Sequence, residues 1–322
     1  MKLNDAIDIK VGNKQVKYVY CGDYFAWGCS IIKYNTNNSV EPDITLLYKP
    51  ENISKVTSLY DAANNYGEVR FYGSSKLTEI PNYMFSDCSN VTSIIVPDGI
   101  SEICGNAFSG CSSLSSILLP DSITEISNNA FSGCSSLTHI DIPDSVIEFG
   151  DWAFLSCTNL QTIKLSNQLT SIPYQCFSKC SALSSLTVPS SVETIKYQAF
   201  NETSSLNELV LNDGLKVIYG QILTGSRLKT LVVPETVEKL HYRCFYNAVL
   251  LESIYFKSAT PPEAIFNGPE TDTTWSGFYK SGYYTATGKT TIYVPIGSGD
   301  LYRNAAGWNE FANQIVEFDF NA

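Results

Sequence analysis

The chain has 322 residues, of which 44% are hydrophobic and 16% are charged, and this composition predicts a folded protein and excludes a disordered one. Its formal net charge is −11 and it has no stripe of lysine and arginine, which excludes binding to nucleic acid and to anionic lipid headgroups. No run of about 18 apolar residues occurs, so no transmembrane segment is predicted.

Residues 1–50 are predicted to form an N-terminal β cap. Apolar residues alternate along Val16, Tyr18 and Tyr20, which is typical of a strand, and a Gly-Asp turn follows them. The run from Tyr20 to Gly28 also resembles a short element of phage structural proteins and some bacterial surface proteins. The first residues carry one positive charge and no apolar stretch, so no secretion signal is visible. Either a leader was removed or the native protein has none.

Residues 68–257 repeat with a period of 23, and such a period indicates a repeat architecture. One column of the repeat is aromatic and consists of Phe85, Phe108, Phe131, Phe154, Phe177 and Phe200, continued by Leu223 and Phe245. Aliphatic residues form four more columns in register with it. One coil cannot bury its own apolar face, so stacked neighbours must bury it. We predict a solenoid of about eight 23-residue coils over residues 51–257, in which residues 51–67 are a degenerate first coil with Leu59 and Ala62 in register.

One coil in the middle of the array illustrates the elements of every repeat. The segment 114–120 alternates near its end, which predicts a short strand that a proline terminates. A Pro-Asp turn follows, and Ile123 and Ile126 return the chain to the core. Residues 129–134 have room only for a helical turn with its phenylalanine directed inward. The stacked strands are therefore predicted to form a parallel sheet at about 4.8 Å per coil.

Half of the ten cysteines occupy one position of the repeat, at Cys88, Cys111, Cys134, Cys157 and Cys180. This register predicts a column of small, buried, reduced thiols, each a weak donor to a nearby carbonyl. Disulfide-rich domains are shorter and have irregular spacings. The alternative, a metal site, needs pairs of the CxxC type, and the sequence contains none, so no metal is predicted.

The unit from Ile103 to Ile123, I-x-x-x-A-F-x-x-C-S-S-L-x-x-I-x-L-P-D-S-I, resembles the BspA-type leucine-rich repeat of bacterial surface proteins, especially those of Bacteroides and relatives. The segments 259–262, 291–295 and 302–308 resemble the closing segment that follows such arrays. The predicted fold is a right-handed, curved leucine-rich-repeat solenoid with β-rich terminal caps. A parallel sheet covers one face, and short helical turns and loops cover the other. The resemblance implies adhesion to host matrix or to other cells.

Residues 258–322 are predicted to form a C-terminal cap rich in aromatic residues. Trp275 and Tyr283 belong to a Gly-rich loop within it. These rings either cover the last coil or present a surface on which sugar rings stack.

The outward positions of the predicted strands follow from alternation with the inward columns. At one end of the sheet they include Ile95 and Leu118, and at the other end Glu208, Val210, Val232 and Tyr255. Exposed apolar residues on a regular sheet indicate a binding surface, although solenoids also tolerate a few of them without function. We predict that a partner binds at the end that contains Tyr255.

Ser116, His139 and Asp141 lie on adjacent strands of this face and have the residue types of a catalytic triad. A flat sheet offers no cleft and no oxyanion hole, so we predict that Asp141 pairs with Lys164 instead and that the protein is not an enzyme. No phosphate-binding loop or EF-hand spacing occurs, and no cofactor is predicted.

The sequence thus predicts an adhesin-like interaction module at the cell surface or secreted. Its partner would be a protein or glycan on another cell or in host matrix. Two alternatives remain: a structural or receptor-binding component of a phage particle, and a carbohydrate-binding protein.

Overall fold

A computed structural model describes residues 7–11, 14–18, 29–38, 40–42, 44, 53–73, 77–265 and 290–321. The N-terminal strands are β1 (Ile7–Val11), β2 (Lys14–Tyr18), β3 (Cys29–Thr36), β4 (Ile53–Asp61) and β5 (Tyr66–Gly73). The repeats contain β6 (Glu79–Ile80), β7 (Val91–Ile95), β8 (Glu102–Ile103), β9 (Ser116–Leu118), β10 (Glu125–Ile126), β11 (His139–Asp141), β12 (Glu148–Phe149), β13 (Thr162–Lys164), β14 (Ser171–Ile172), β15 (Ser185–Val188), β16 (Thr194–Ile195), β17 (Glu208–Leu211), β18 (Val217–Ile218), β19 (Thr230–Val233), β20 (Lys239–His241), β21 (Ser253–Phe256) and β22 (Glu263–Ile265). They are followed by β23 (Thr291–Pro295), helix α1 (Gly299–Asn304), a 3₁₀ helix (Trp308–Gln314) and β24 (Ile315–Phe318).

Long and short strands alternate along the repeats and stack into two parallel sheets. The odd-numbered strands from β7 to β23, extended by β24, line one face, which we call the main sheet; hydrogen-bonded ladders join β7 to β9, β11 to β13, β15 to β17, and β19 through β24. The even-numbered strands from β6 to β22, each of two or three residues, line a second face, which we call the narrow sheet; ladders join β6 through β12 and β14 through β22. Nine narrow strands correspond to nine turns of a solenoid, one more than the sequence predicts. The predicted solenoid with a parallel sheet is confirmed, whereas the narrow sheet was not predicted.

The aromatic column forms a continuous stack through the core. Adjacent rings from Phe85 to Phe200 have centroids 5.3 to 6.0 Å apart, and their planes are within 22° of parallel. Each of these rings is fully buried. Burial of one such side chain contributes about 1.5–3 kcal/mol, so the stack is a principal source of stability.

The predicted helical turns are hydrogen-bonded turns, and no helix is assigned between residues 77 and 265. The reason is visible around Phe131, where Asn129 has φ 56° and Gly133 has φ 74°. Two residues four positions apart with left-handed backbone conformations prevent a right-handed helix from continuing. Other coils repeat both positions with residues such as Gln198 and Glu202, at φ 56° and 58°.

The N-terminal region joins the main sheet in antiparallel orientation. Strand β3 pairs with both β5 and β7, and β4 forms a hairpin with β5. The interpretation of residues 51–67 as a degenerate coil is therefore wrong, and Leu59 and Ala62 are exposed. The physical reason is a tight turn after β4, where the Asp61 carboxylate accepts hydrogen bonds from the Ala63 and Asn64 amides, so the chain reverses at once. Strands β1 and β2 form a separate antiparallel hairpin, and the run from Tyr20 to Gly28 lies outside the described residues.

At the C-terminal end, β22 and β23 continue the narrow and main sheets in parallel register. Trp308 packs edge-on against Phe256, with centroids 4.9 Å apart, and its indole N–H donates to the carbonyl of Pro262 at 2.8 Å. The Tyr302 hydroxyl donates to the carbonyl of Ser258 at 2.9 Å. The side chains of Tyr302 and Trp308 are both fully buried and pack against Phe256. The division into residues 1–50, 51–257 and 258–322 stays a prediction.

None of the helices in the described residues is long and apolar enough to span a bilayer.

The thiol column lies in the core as predicted, and its five cysteines are buried and free. Cys111, Cys134, Cys157 and Cys180 each donate from Sγ to the carbonyl of the phenylalanine one coil back, at 2.9 to 3.2 Å. Burial raises the pKa of the Cys111 and Cys134 thiols well above the usual range, so neither ionises near neutral pH.

We therefore expect Cys111, Cys134 and Cys157 to resist a maleimide reagent in the native protein, because a buried neutral thiol reacts slowly. Mass spectrometry after native labelling, compared with labelling in denaturant, measures this directly. Rapid native modification of all three would contradict the structure.

Thr203 and Ser226 occupy the next two positions of the thiol column and break its hydrogen-bond pattern. The Thr203 hydroxyl donates to the Phe200 carbonyl, which a cysteine at position 226 would use. The Ser226 hydroxyl is buried and has no hydrogen-bond partner among the described residues. We expect Ser226→Ala to raise the free energy of unfolding by about 1 kcal/mol, because an unsatisfied buried hydroxyl is removed. In urea unfolding, Thr203→Ala serves as the control and should be destabilising. A Ser226→Ala variant less stable than the parent would show that the hydroxyl is satisfied.

Candidate interaction surface

The outward face of the main sheet has an apolar region at each end. Val210 and Val232 are 38% and 40% exposed, and Ile95 and Leu118 are 49% and 63% exposed. Alternation along the strands produces this exposure, because β17 and β19 direct every second residue into the core. The predicted outward orientation of all four residues is thus seen in the structure.

The pair at the N-terminal end of this face consists of Ile95 on β7 and Leu118 on β9, which are register partners. Val210, Val232 and Tyr255 lie on consecutive long strands, and Val232 and Tyr255 are also register partners. Glu208 is exposed on the same strand as Val210. Polar strands separate the two ends, so the structure brings the predicted residues together as two groups and not as one surface.

Tyr255 is half-buried because aromatic residues from the C-terminal strands surround it. Its ring stacks on Tyr293 with centroids 4.5 Å apart and planes within 10° of parallel. Phe318 packs edge-on against Tyr255 at 5.2 Å and against Tyr293 at 5.6 Å, and Phe320 approaches Tyr255 at 6.2 Å. The sequence reasoning missed these neighbours, although the alternation in Thr291–Pro295 indicates a strand.

The surface at this end is therefore larger than predicted. Val316 on β24 is 43% exposed and pairs in register with Tyr293. We define the C-terminal patch by the outward residues of β17, β19, β21, β23 and β24, which are Val210, Val232, Tyr255, Tyr293, Val316 and Phe318. Trp275 and Tyr283 lie outside the described residues, and their roles stay predictions.

Between the two ends, His139 connects two polar side chains. His139 Nε2 lies 3.1 Å from the Asp141 carboxylate, and Nδ1 lies 2.7 Å from the Thr162 hydroxyl. The predicted pair between Asp141 and Lys164 is wrong, since Lys164 Nζ lies 3.8 Å from the carboxylate of Asp144 at the next turn. Asp141 and His139 lie on the same face of one strand, so the Asp141 carboxylate contacts the imidazole. The long side chain of Lys164 contacts Asp144 instead. The imidazole and the Asp141 carboxylate are more than half exposed, so this network lacks the water-excluding cleft that nucleophilic catalysis needs.

The first coils are strongly acidic. Residues 77–163 contain ten aspartate and glutamate residues and no lysine or arginine. Four of these acids stack in register on the narrow sheet, at Glu79, Glu102, Glu125 and Glu148. Burial and the neighbouring Glu102 raise the pKa of Glu79, although a hydrogen bond with Cys104 opposes the shift. Like charges one coil apart destabilise the sheet locally.

Among the described residues, one cluster has the composition of a metal site, formed by Glu79, Glu102 and Cys104 with ligand atoms within 4.8 Å of one another. Burial, then the nearby glutamates, raises the pKa of the Cys104 thiol far above its usual range. Metals bind the thiolate, so a metal at this cluster would have to displace the thiol proton.

The comparison with protein families identifies the repeat. A family model described as the BspA type leucine rich repeat region matches in six copies, over residues 78–200 and 170–267. No curated protein matches the chain.

Several solved structures are similar. A leucine-rich repeat protein from Bacteroides ovatus is 23% identical, with 84% of this chain and 74% of that chain covered and a TM-score of 0.52. A leucine rich repeat protein from T. pallidum is 30% identical over 46% of this chain and 69% of its own, with a TM-score of 0.43. A leucine rich cell surface protein from Faecalibacterium prausnitzii is 23% identical over 68% and 64%, with a TM-score of 0.41. The Bacteroides ovatus structure has the same fold, and the six family matches cover more than half of the sequence. The chain therefore belongs to the BspA-type leucine-rich-repeat family.

Proposed function

We propose that the chain is a non-enzymatic, adhesin-like interaction module, on the cell surface or secreted, that binds a protein partner through the C-terminal patch. The observation that carries the proposal is the patch itself, a contiguous set of apolar and aromatic side chains on the outward face of a sheet. Inward residues alone supply the core, so folding does not require rings at these positions. Exposed apolar patches of this kind mark interaction sites.

The chemistry of the patch favours a protein partner. Tyr255 and Tyr293 present large stacked rings, and tyrosines are among the residues that dominate the energetics of protein interfaces. Glu208 beside Val210 supplies a polar rim. Cell-surface location is supported by family membership. None of the matches supports the alternative of a phage component.

The experiment compares a double variant with a matched control. Val210→Asp with Tyr255→Ala should weaken binding to an immobilised panel of purified extracellular-matrix proteins by about 30-fold or more, because loss of one anchor costs about 2 kcal/mol. Ile147→Asp, an equally acidic change at an exposed apolar residue outside the main sheet, should leave affinity unchanged. Surface plasmon resonance measures both after a check that the thermal midpoints are equal. Undiminished affinity of the double variant would exclude the C-terminal patch and implicate the segment that contains Trp275 and Tyr283, which the sequence predicts to be a loop.

A further inference from the structure

We propose that the main sheet carries a second site, for a neutral saccharide, in a cleft between β13 and β15. The site lies in the polar middle of the outward face and adjoins the C-terminal patch, because Thr187 of its lining pairs in register with Val210.

The cleft lies at one of the places where no ladder joins two neighbouring long strands of the main sheet. Strand β13 pairs with β11, and β15 pairs with β17, but within the fully described stretch 77–265 no ladder joins β13 to β15, nor β9 to β11 or β17 to β19. The inward residue of β13, Ile163, is partly exposed, whereas the corresponding Leu186 of β15 is buried. A cavity of about 450 Å³ occupies the opening, within the range of about 300–1,000 Å³ for small-molecule sites. Its polar lining comes from Thr162, Lys164, Asn167, Ser185, Thr187, Ser190 and Asn212.

The polar groups of this lining are available to a ligand. The side chains of Ser185, Thr187, Ser190 and Asn212 make no hydrogen bond to any described residue. A hydroxyl or an amide can both donate and accept, as each hydroxyl of a sugar does. Ile163, Leu186 and Pro189 form an apolar floor below them, suited to the C–H face of a sugar ring. The site therefore matches a ligand with many hydroxyls and one apolar face.

Charge around the cleft disfavours an anionic ligand. Lys164 is the one cationic residue in the lining, and the Asp144 carboxylate lies 3.8 Å from its Nζ. A second cavity of about 420 Å³ shares Lys164 and is lined by Asp121, Asp141 and Asp144. These carboxylates repel phosphate and sulfate groups but accept hydrogen bonds from neutral hydroxyls. The two cavities together suit a short oligosaccharide that runs across several coils.

The test uses the full chain and three neutral trisaccharides: maltotriose, cellotriose and chitotriose. Saturation-transfer difference NMR at millimolar ligand should show contact with at least one of them, and calorimetry gives its affinity. Thr187→Trp fills the cleft and should weaken this binding by about tenfold or more, and Asn212→Ala removes an amide without adding bulk and should also weaken it. The matched control is Thr230→Trp, the same exchange at an exposed residue of the same face outside the cleft, and it should leave affinity unchanged.

Failure to bind any of the three saccharides would overturn the proposal, as would an affinity that survives Thr187→Trp or a preference for sulfated over neutral saccharides. The Tyr255→Ala single variant, whose change lies on β21 outside the lining of the cleft, should bind the saccharide normally. The experiments can therefore refute the saccharide site and the protein-binding patch independently of each other.

Discussion

Phe131→Ala is expected to lower the free energy of unfolding by about 3–5 kcal/mol, the usual cost of removing a fully buried aromatic ring. Phe131 lies in the middle of the stack, with Phe108 and Phe154 each 5.3 Å away by ring centroid. Both neighbours are held by their own coils, so the cavity left by the ring cannot close. Urea unfolding followed by circular dichroism measures the loss.

The control for this change is Phe245→Ala, a fully buried phenylalanine near the end of the array. It follows Leu223 in the column, so one neighbour is aliphatic and the coil spacing is already irregular. We expect a smaller loss there because the surrounding coils can relax. Equal losses at the two positions would show that the stack does not stabilise the middle of the solenoid more than its end.

Gly150→Ala is the second change with a large expected effect. A Cβ at position 150 would overlap the backbone nitrogen of Asn128 and the carbonyl carbon of Ser127 in the preceding coil. Gly150 also donates its N–H to the Ile126 carbonyl at 2.7 Å, so the two coils cannot separate without losing this bond. Overpacking of this kind costs about 1–3 kcal/mol and more where backbone atoms collide, so we expect about 3 kcal/mol or more.

Gly133→Ala is the matched control, although its φ of 74° is the less favourable backbone for alanine. The nearest atom to its added Cβ, Cα of Gly110, is 3.6 Å away, and equivalent positions hold Ser156 and Lys179 with φ near 60°. The cost should stay near 1 kcal/mol, the price of a left-handed alanine. Thermal unfolding of the two variants compares them. A larger loss at position 133 would mean that backbone conformation, and not contact between coils, limits this region.

Much of the fold could be predicted because one physical requirement recurs in every coil. The inward residues must stack on their counterparts one coil away, so a 23-residue period in phenylalanine, leucine and cysteine determines the register. The narrow sheet was missed because strands such as Glu102–Ile103 contain two residues, too few for alternation to show. The turns around Phe131 were predicted to be helical because the asparagine at position 129 does not by itself indicate a left-handed backbone conformation.

The candidate surfaces could be predicted only in part. Val210, Val232 and Tyr255 follow from alternation within the period. Tyr293 and Phe318 lie after the 23-residue period ends. Their strands join the main sheet by pairing with β21 and with each other, and no repeat in the sequence indicates this pairing. The cleft beside Lys164 lies at one of several gaps between the ladders of the main sheet, and no residue type signals where these gaps occur. The sequence therefore predicts which side of the strands is outward, but not how the outward side is shaped.

The order in which the coils stack also determines how the molecule responds to mechanical force. Each coil is held mainly by the one before it and the one after it, through short parallel ladders. Tension applied between the two ends should therefore unwind coils one after another from a terminus. Each 23-residue coil that is released adds roughly 70 Å of contour length. Force spectroscopy should show a series of evenly spaced small ruptures, and a chain attached at one end would lengthen under flow while its remaining coils stay folded.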